Sequence, residues 1–260
     1  MDLICPLGSG SNGNSTLIKG GSSSILVDAG LSCKAICAAL DKTGSSYEEI
    51  DGILLTHEHS DHIKALPVLL KKLTCPIYAT EKVLEYIVEN LKIPTHIPLV
   101  PIDKKIFELH DLEIKAFETP HDSVGSVGYQ IKTPNNKIIS IATDLGCVTK
   151  EVFEHISKSN AVLLESNYDE GMLMCSAYPY TIKRRISSNT GHLSNIDCAK
   201  TAVKLAEQGV ENIILGHLSQ NNNMPELAFG TTKAYLDRAG FCEVNLQVAE
   251  RGQCSKAVIL

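Results

Sequence analysis

The chain has no tryptophan, and its aromatic content is only 5%. A protein of 260 residues must then build its core from aliphatic side chains, and a 43% hydrophobic fraction is enough for a full core. Long apolar runs are missing too: none approaches the roughly twenty residues that cross a bilayer. Nor does a basic start lead into an apolar stretch of signal-peptide length. No C-x-x-C pair occurs, the nine cysteines are an odd number, and Cys33, Cys37 and Cys198 fall in helical patterns. Reduced, mostly buried thiols fit this better than a disulfide framework. These absences lead us to expect a cytoplasmic protein that does not engage a membrane. An excess of basic charge is also lacking. The net charge of −6 argues against a general electrostatic grip on nucleic acid, but leaves room for an enzyme whose metals supply local positive charge.

What the sequence does contain is a dense cluster of metal-type side chains. Leu54 to Ile63 reads LLTHEHSDHI, placing His57, His59, Asp61 and His62 directly after the apolar run Ile53-Leu54-Leu55. Such a run reads as the end of a buried strand. In extended chain alternate side chains share a face, so His57 and His59 can bind one ion while the turn aims Asp61 and His62 elsewhere. One ion does not need four ligands at this spacing; two ions do.

Around this motif the chain reads as alternating strands and helices. Gly8, Gly10 and Gly13 match G-x-G-x-x-G, but Ser15 to Lys19 reads as a strand rather than a helix. The dinucleotide reading therefore fails, and a tight hairpin is favoured over a polar loop lining the active site. Helical spacing covers Ser32 to Leu40, Ile63 to Leu73 and Glu81 to Leu91, after which Pro94, Pro98 and Pro101 break the chain. Lys105 to Leu109, Leu112 to Phe117, Val127 to Lys132 and Lys137 to Ala142 read as strands. Further on, strands are expected at Ala161 to Glu165 and Asn212 to Leu215, and helices near Tyr180 to Ser187, Ile196 to Gln208 and Pro225 to Ala239. Each half runs from strands to helices. The pattern predicts two mixed sheets face to face with helices outside, a four-layer α/β/β/α sandwich in one domain spanning residues 1 to 260.

Three more strand ends carry metal-type side chains: His121 after Phe117 to Pro120, Asp144 after Ile139 to Thr143, and His217 after Ile213 to Gly216. Together with the first motif they make seven ligands, as two metals sharing one carboxylate require. This set resembles the metallo-β-lactamase fold superfamily over essentially the whole chain. The resemblance implies that His57, His59 and His121 hold one ion, that Asp61, His62 and His217 hold the second, and that Asp144 bridges. No cysteine stands at a ligand position, which departs from those β-lactamases that use a thiolate.

Two carboxylates against two divalent cations leave such a site positive, which suits a phosphodiester whose transition state gathers negative charge. The metals lower the pKa of a shared water from about 15.7 toward 7, so that a bridging hydroxide is the expected nucleophile. Zn²⁺ or Mn²⁺ fits the ligand set, and Fe²⁺ and Ni²⁺ are compatible with it. Glu165 ends a strand and His192 precedes a helix. Ribonuclease Z is similar in having a Glu and a His at matching places, paired as proton donor. The candidate catalytic residues are thus Asp61, Glu165 and His192.

Glu165 to Asp169, Ala177 to Tyr180, Lys183 to Ile186, Gly191 to Asn195 and Leu215 to Ser219 resemble the bacterial YycJ/WalJ exonuclease family. So do Gly10 to Ser15 and Pro120-His121-Asp122. Tyr168 departs from that family, many of whose members carry His there. The resemblance implies a 5′-to-3′ exonuclease acting on DNA. The stretch between Glu165 and His192 is too short for the large cap of related nucleases. Candidate substrate contacts are Arg184 and Arg185 in the basic run, with Asn221, Asn222 and Asn223. Competing readings are a ribonuclease, a thioester or amide hydrolase of the glyoxalase II or lactamase kind, and a non-catalytic scaffold.

Overall fold

The computed structural model describes residues 1–103 and 106–260. Its strands are β1 (Leu3–Gly8), β2 (Ser15–Gly20), β3 (Ser23–Val27), β4 (Gly52–Leu54), β5 (Ile77–Ala79), β6 (Leu99–Pro101), β7 (Ile106–Leu109), β8 (Leu112–Glu118), β9 (Val127–Lys132), β10 (Ile138–Ala142), β11 (Ala161–Glu165), β12 (Asn212–Gly216), β13 (Asn245–Val248) and β14 (Val258–Ile259). Among the described residues they form two seven-stranded sheets, ordered β14-β1-β2-β3-β4-β5-β6 and β13-β12-β11-β10-β9-β8-β7. The end of the chain thus returns to pair with its beginning. Both sheets are mixed: β3 to β6 and β10 to β13 run parallel to their neighbours, and the remaining pairs are antiparallel.

The alternation of side chains along the strands explains the layering, because both faces of the central strands are apolar. Ile4, Ile18, Ile25 and Leu54 point between the sheets and meet Ile114, Tyr129, Ile139, Leu163 and Ile214 of the second sheet. Their neighbours Leu17, Leu26 and Ile53 point outward against α1 (Cys33–Lys42), α3 (Leu66–Leu69) and α4 (Glu81–Asn90). On the far side Val162, Leu164, Ile213 and Leu215 pack on α5 (Lys150–Ile156), α8 (Asn195–Glu207) and α9 (Pro225–Arg238). The expected four-layer sandwich is the observed fold. Each fully buried Leu or Ile contributes roughly 1.5–3 kcal/mol of transfer free energy, so an aliphatic core suffices without tryptophan.

Three local expectations change. The helix expected over Ile63 to Leu73 is two short ones, α2 (Ser60–Ile63) and α3. Pro67 has no N–H to continue the ladder. Tertiary partners also take the intervening groups: Asp61 O accepts from Asn14 N at 2.8 Å, and Ala65 N donates to Ala29 O at 2.9 Å. The proline-broken stretch contains β6, which lies at a sheet edge where proline is tolerated. A helix not foreseen, α6 (Glu170–Cys175), precedes α7 (Tyr180–Ile186). The expected strand start at Lys105 lies outside the described residues.

Candidate functional site

The carboxyl ends of β3, β4, β10, β11 and β12 converge at one edge of the sandwich, where open α/β sheets place their ligands. Asp28, Asp144 and His217, each within two residues of its strand, adopt left-handed backbone with φ of 64°, 55° and 53°. For a residue with a Cβ such conformations cost about 1–3 kcal/mol each and persist where the surroundings enforce them. The strand before the His motif is pinned from the opposite sheet, where the Tyr129 hydroxyl donates to Leu55 O at 2.6 Å.

All seven expected ligands lie in this one cluster. His57, His59 and His121 present nitrogens within 4.8 Å of one another, as do Asp61, His62 and His217. Asp144 stands between them: Oδ1 is 3.9 Å from His57 Nε2 and 3.8 Å from His121 Nε2, while Oδ2 is 3.3 Å from His62 Nε2. The last contact lacks hydrogen-bond alignment, and among the described residues Asp144 Oδ2 and His57 Nε2 are buried without a hydrogen-bond partner. Unpartnered buried acceptors facing each other are costly unless a cation fills the gap.

The outer partners select the tautomers that free these nitrogens. His62 Nδ1 donates to Asp28 Oδ2 at 2.8 Å, His121 Nδ1 to Gly191 O at 3.0 Å, and His217 Nδ1 to Glu165 Oε1 at 2.7 Å. In each case Nδ1 keeps its proton and Nε2 is turned toward the cluster, free to give its lone pair to an ion once its own proton leaves, the arrangement by which proteins hold metal-binding histidines. Asp28 also accepts from Thr56 N at 2.8 Å, which ties β3 to the turn after β4. Asp28 and Asn14, whose side-chain amide is 3.1 Å from His62 Nε2, were not among the residues expected in the site. The available signal for Asp28 was its place after the buried run Ile25 to Val27, the same strand-end position the ligands occupy.

Electrostatics points the same way. Burial opposes charge on His62 and His217, yet Asp144 and the other nearby carboxylates raise both, His217 to about 10. Burial and the neighbouring imidazoles hold His57 neutral, its pKa well below the ordinary histidine value. Burial likewise opposes ionisation of Glu165 and Asp61, but their histidine partners keep both carboxyls well below the usual range. Four carboxyl groups, of Asp28, Asp61, Asp144 and Glu165, thus face a set of imidazoles across one small space, a donor set that fits divalent cations.

Glu165, fully buried, accepts from His192 Nδ1 at 2.8 Å on the oxygen that also holds His217. Its other oxygen accepts from Leu145 N at 2.9 Å and Leu193 N at 3.2 Å. His192 lines the pocket over the cluster, a 210 Å³ space bounded also by Ser11, Asp122, Arg185 and Gly191. The Gly10 to Ser15 stretch is therefore both a hairpin turn between β1 and β2 and a wall of the site.

The expected substrate contacts divide. Arg185 sits at the pocket mouth, its Nε donating to Asp122 Oδ2, whereas Arg184 is exposed away from the lining. Asn221 is exposed and donates to the Tyr178 hydroxyl at 2.8 Å. Asn222 and Asn223 require correction, since both are 1% exposed. The Asn223 amide donates to Ser166 O at 2.8 Å and Asn167 O at 3.0 Å, so it braces the loops behind His217 rather than facing solvent.

Gly30 shows how tightly the motif is wedged, because a Cβ there would lie 1.6 Å from Asp61 O and 2.8 Å from Asn14 N. Gly30→Ala must push the Asp61 turn away. We expect a loss on the order of 3 kcal/mol, read as a lower urea midpoint, together with weaker metal retention.

Residues 23–218 match the family described as the beta-lactamase superfamily domain. Exodeoxyribonuclease YycJ of Bacillus anthracis is 38% identical over 238 residues, covering 90% of this chain and 89% of its own. Exodeoxyribonuclease WalJ of Streptococcus pneumoniae is 36% identical over 242 residues, covering 90% and 87%. Of the solved structures, the metallo-beta-lactamase fold protein YhfI from Bacillus subtilis superposes with a TM-score of 0.75 at 18% identity, covering 98% of this chain and 100% of its own. At that identity the likeness speaks for the fold alone.

Proposed function

The chain belongs to the β-lactamase superfamily, in the branch of the YycJ and WalJ exodeoxyribonucleases, and on that footing we propose that it is a dinuclear metal-dependent nuclease digesting DNA from the 5′ end. His57, His59 and His121 would hold one divalent ion, Asp61, His62 and His217 the other, and Asp144 both; Zn²⁺ or Mn²⁺ suits these donors. Bound, the ions supply a water of lowered pKa as nucleophile and a clamp on the phosphate.

The observation that carries the reading is the fully buried Glu165 between His192 and His217. Burial opposes charge on His192, but the Glu165 carboxylate raises its pKa and fixes its Nδ1 as a donor. The ring is thus an oriented proton source at the pocket wall, as a nucleoside alkoxide leaving group requires. A thioester hydrolase has no such need, because a thiolate leaves unprotonated. Arg185 at the mouth would meet a second phosphate once it turns from Asp122.

The test is digestion of end-labelled single- and double-stranded DNA and RNA after chelation and reloading with Mn²⁺ or Zn²⁺. We expect mononucleotides released from the 5′ end, DNA cut faster than RNA, and no cutting by the chelated protein. Thioester hydrolysis with no nucleic acid cleaved under any metal would overturn the proposal.

A further inference from the structure

At 210 Å³ the metal pocket is smaller than the roughly 300 Å³ at which pockets for drug-sized ligands begin. It accepts the phosphate under attack, and the rest of a strand must lie elsewhere. Residues 186–193 form its wall: Ile186, Gly191 and His192 face the pocket, while Ser187, Asn189 and Leu193 face a second cleft of 540 Å³ on the other side. One short segment therefore separates the two spaces.

The second cleft has the chemistry of a nucleotide. Its lining includes Phe153 of α5, Tyr168 beyond β11, and Leu193, an apolar and aromatic surface. Tyr168 is 6% exposed, and its hydroxyl makes no hydrogen bond among the described residues although it belongs to the lining. A phenol whose ring is packed while its hydroxyl opens on the cleft offers a donor and an acceptor to the edge of a base. Lys150, Lys200 and Lys204 also line the cleft, the last two one turn apart on α8. Lys200 pairs with Asp197 and Lys150 with Glu154, both at the surface where a phosphate can displace the partner. Lys204 has no ion pair among the described residues.

We propose that this cleft is a second nucleotide subsite, holding a base of the same strand against Phe153 and Tyr168 and its flanking phosphates on Lys200 and Lys204. The proposal rests on the nucleic-acid reading of the metal pocket. It explains how an acidic protein holds a polyanion: aromatic contact and two or three lysines replace a broad basic face.

The exposed lysines allow a test without threatening the fold. In Lys200→Ala/Lys204→Ala, the KM for a single-stranded octadeoxynucleotide should rise on the order of tenfold. Loss of two contacts on a single strand should flatten the slope of log kcat/KM against log salt by roughly 1.4. A deoxyribose dinucleotide with a single phosphodiester bond and a nitrophenyl phosphodiester, which do not span the wall, should be cut as before. An unchanged octamer KM and salt slope, or equal losses on short and long substrates, would overturn the subsite while leaving the nuclease reading intact. A wild-type protein that cleaves no nucleic acid of any length would overturn both.

Discussion

Asp144→Asn should cut DNA hydrolysis by about 10³-fold or more, on the order of 4 kcal/mol of barrier, while the fold survives. The substitution keeps the volume and removes the charge from a carboxylate whose two oxygens face both ligand groups. Metal content measured on the purified variant should fall. Among the described residues the Asp144 side chain accepts no hydrogen bond, and its Oδ2 is buried without a partner. In the metal-free protein the amide gives up the charge that raises His62 and His217, so the chelated variant should still unfold cooperatively but melt a few degrees below the chelated wild type at neutral pH. Near-normal turnover with full metal content would remove Asp144 from its bridging place, and the proposed pair of ions with it.

His192→Ala should leave the metals in place and slow DNA cleavage by about 10²- to 10⁴-fold, the usual contribution of a general acid. Metal retention follows from Glu165, which keeps His217 Nδ1, Leu145 N and Leu193 N as donors after the imidazole is gone. A nitrophenyl phosphodiester offers the sharper comparison. Its leaving oxygen departs without a proton, so its rate should fall by less than about tenfold. Equal losses on both substrates would show that His192 positions the phosphate instead of protonating the leaving group.

Much of this was legible along the chain because both signals are local. Apolar alternation marked Val127 to Lys132 and a continuous apolar run marked Ala161 to Glu165, both with their observed bounds, and short buried runs ending in His or Asp marked the residues that the fold gathers into one cluster. A strand end buried on both faces leaves few reasons for an imidazole or a carboxylate, so each such residue stood out. Where the signal was a loop of polar residues, the reading was poorer. Asn221 to Asn223 looked like one exposed patch, yet only Asn221 is exposed, since a buried loop must satisfy its backbone and Asn223 does so.

By itself the sequence determined the sandwich and which His and Asp side chains stand at strand ends as candidate ligands, because patterning and donor identity are properties of neighbouring residues. Only the tertiary structure decided which nitrogen of each histidine is free. Those choices depend on Asp28, the Gly191 carbonyl and Glu165, which come from strands and loops remote in the chain. It also decided where the expected helix over Ile63 to Leu73 stops, since Asn14 and Ala29 claim the backbone groups that a continuous helix would have paired internally. Hydrogen bonds between distant segments leave no periodic trace, and so they could be found only by folding the chain.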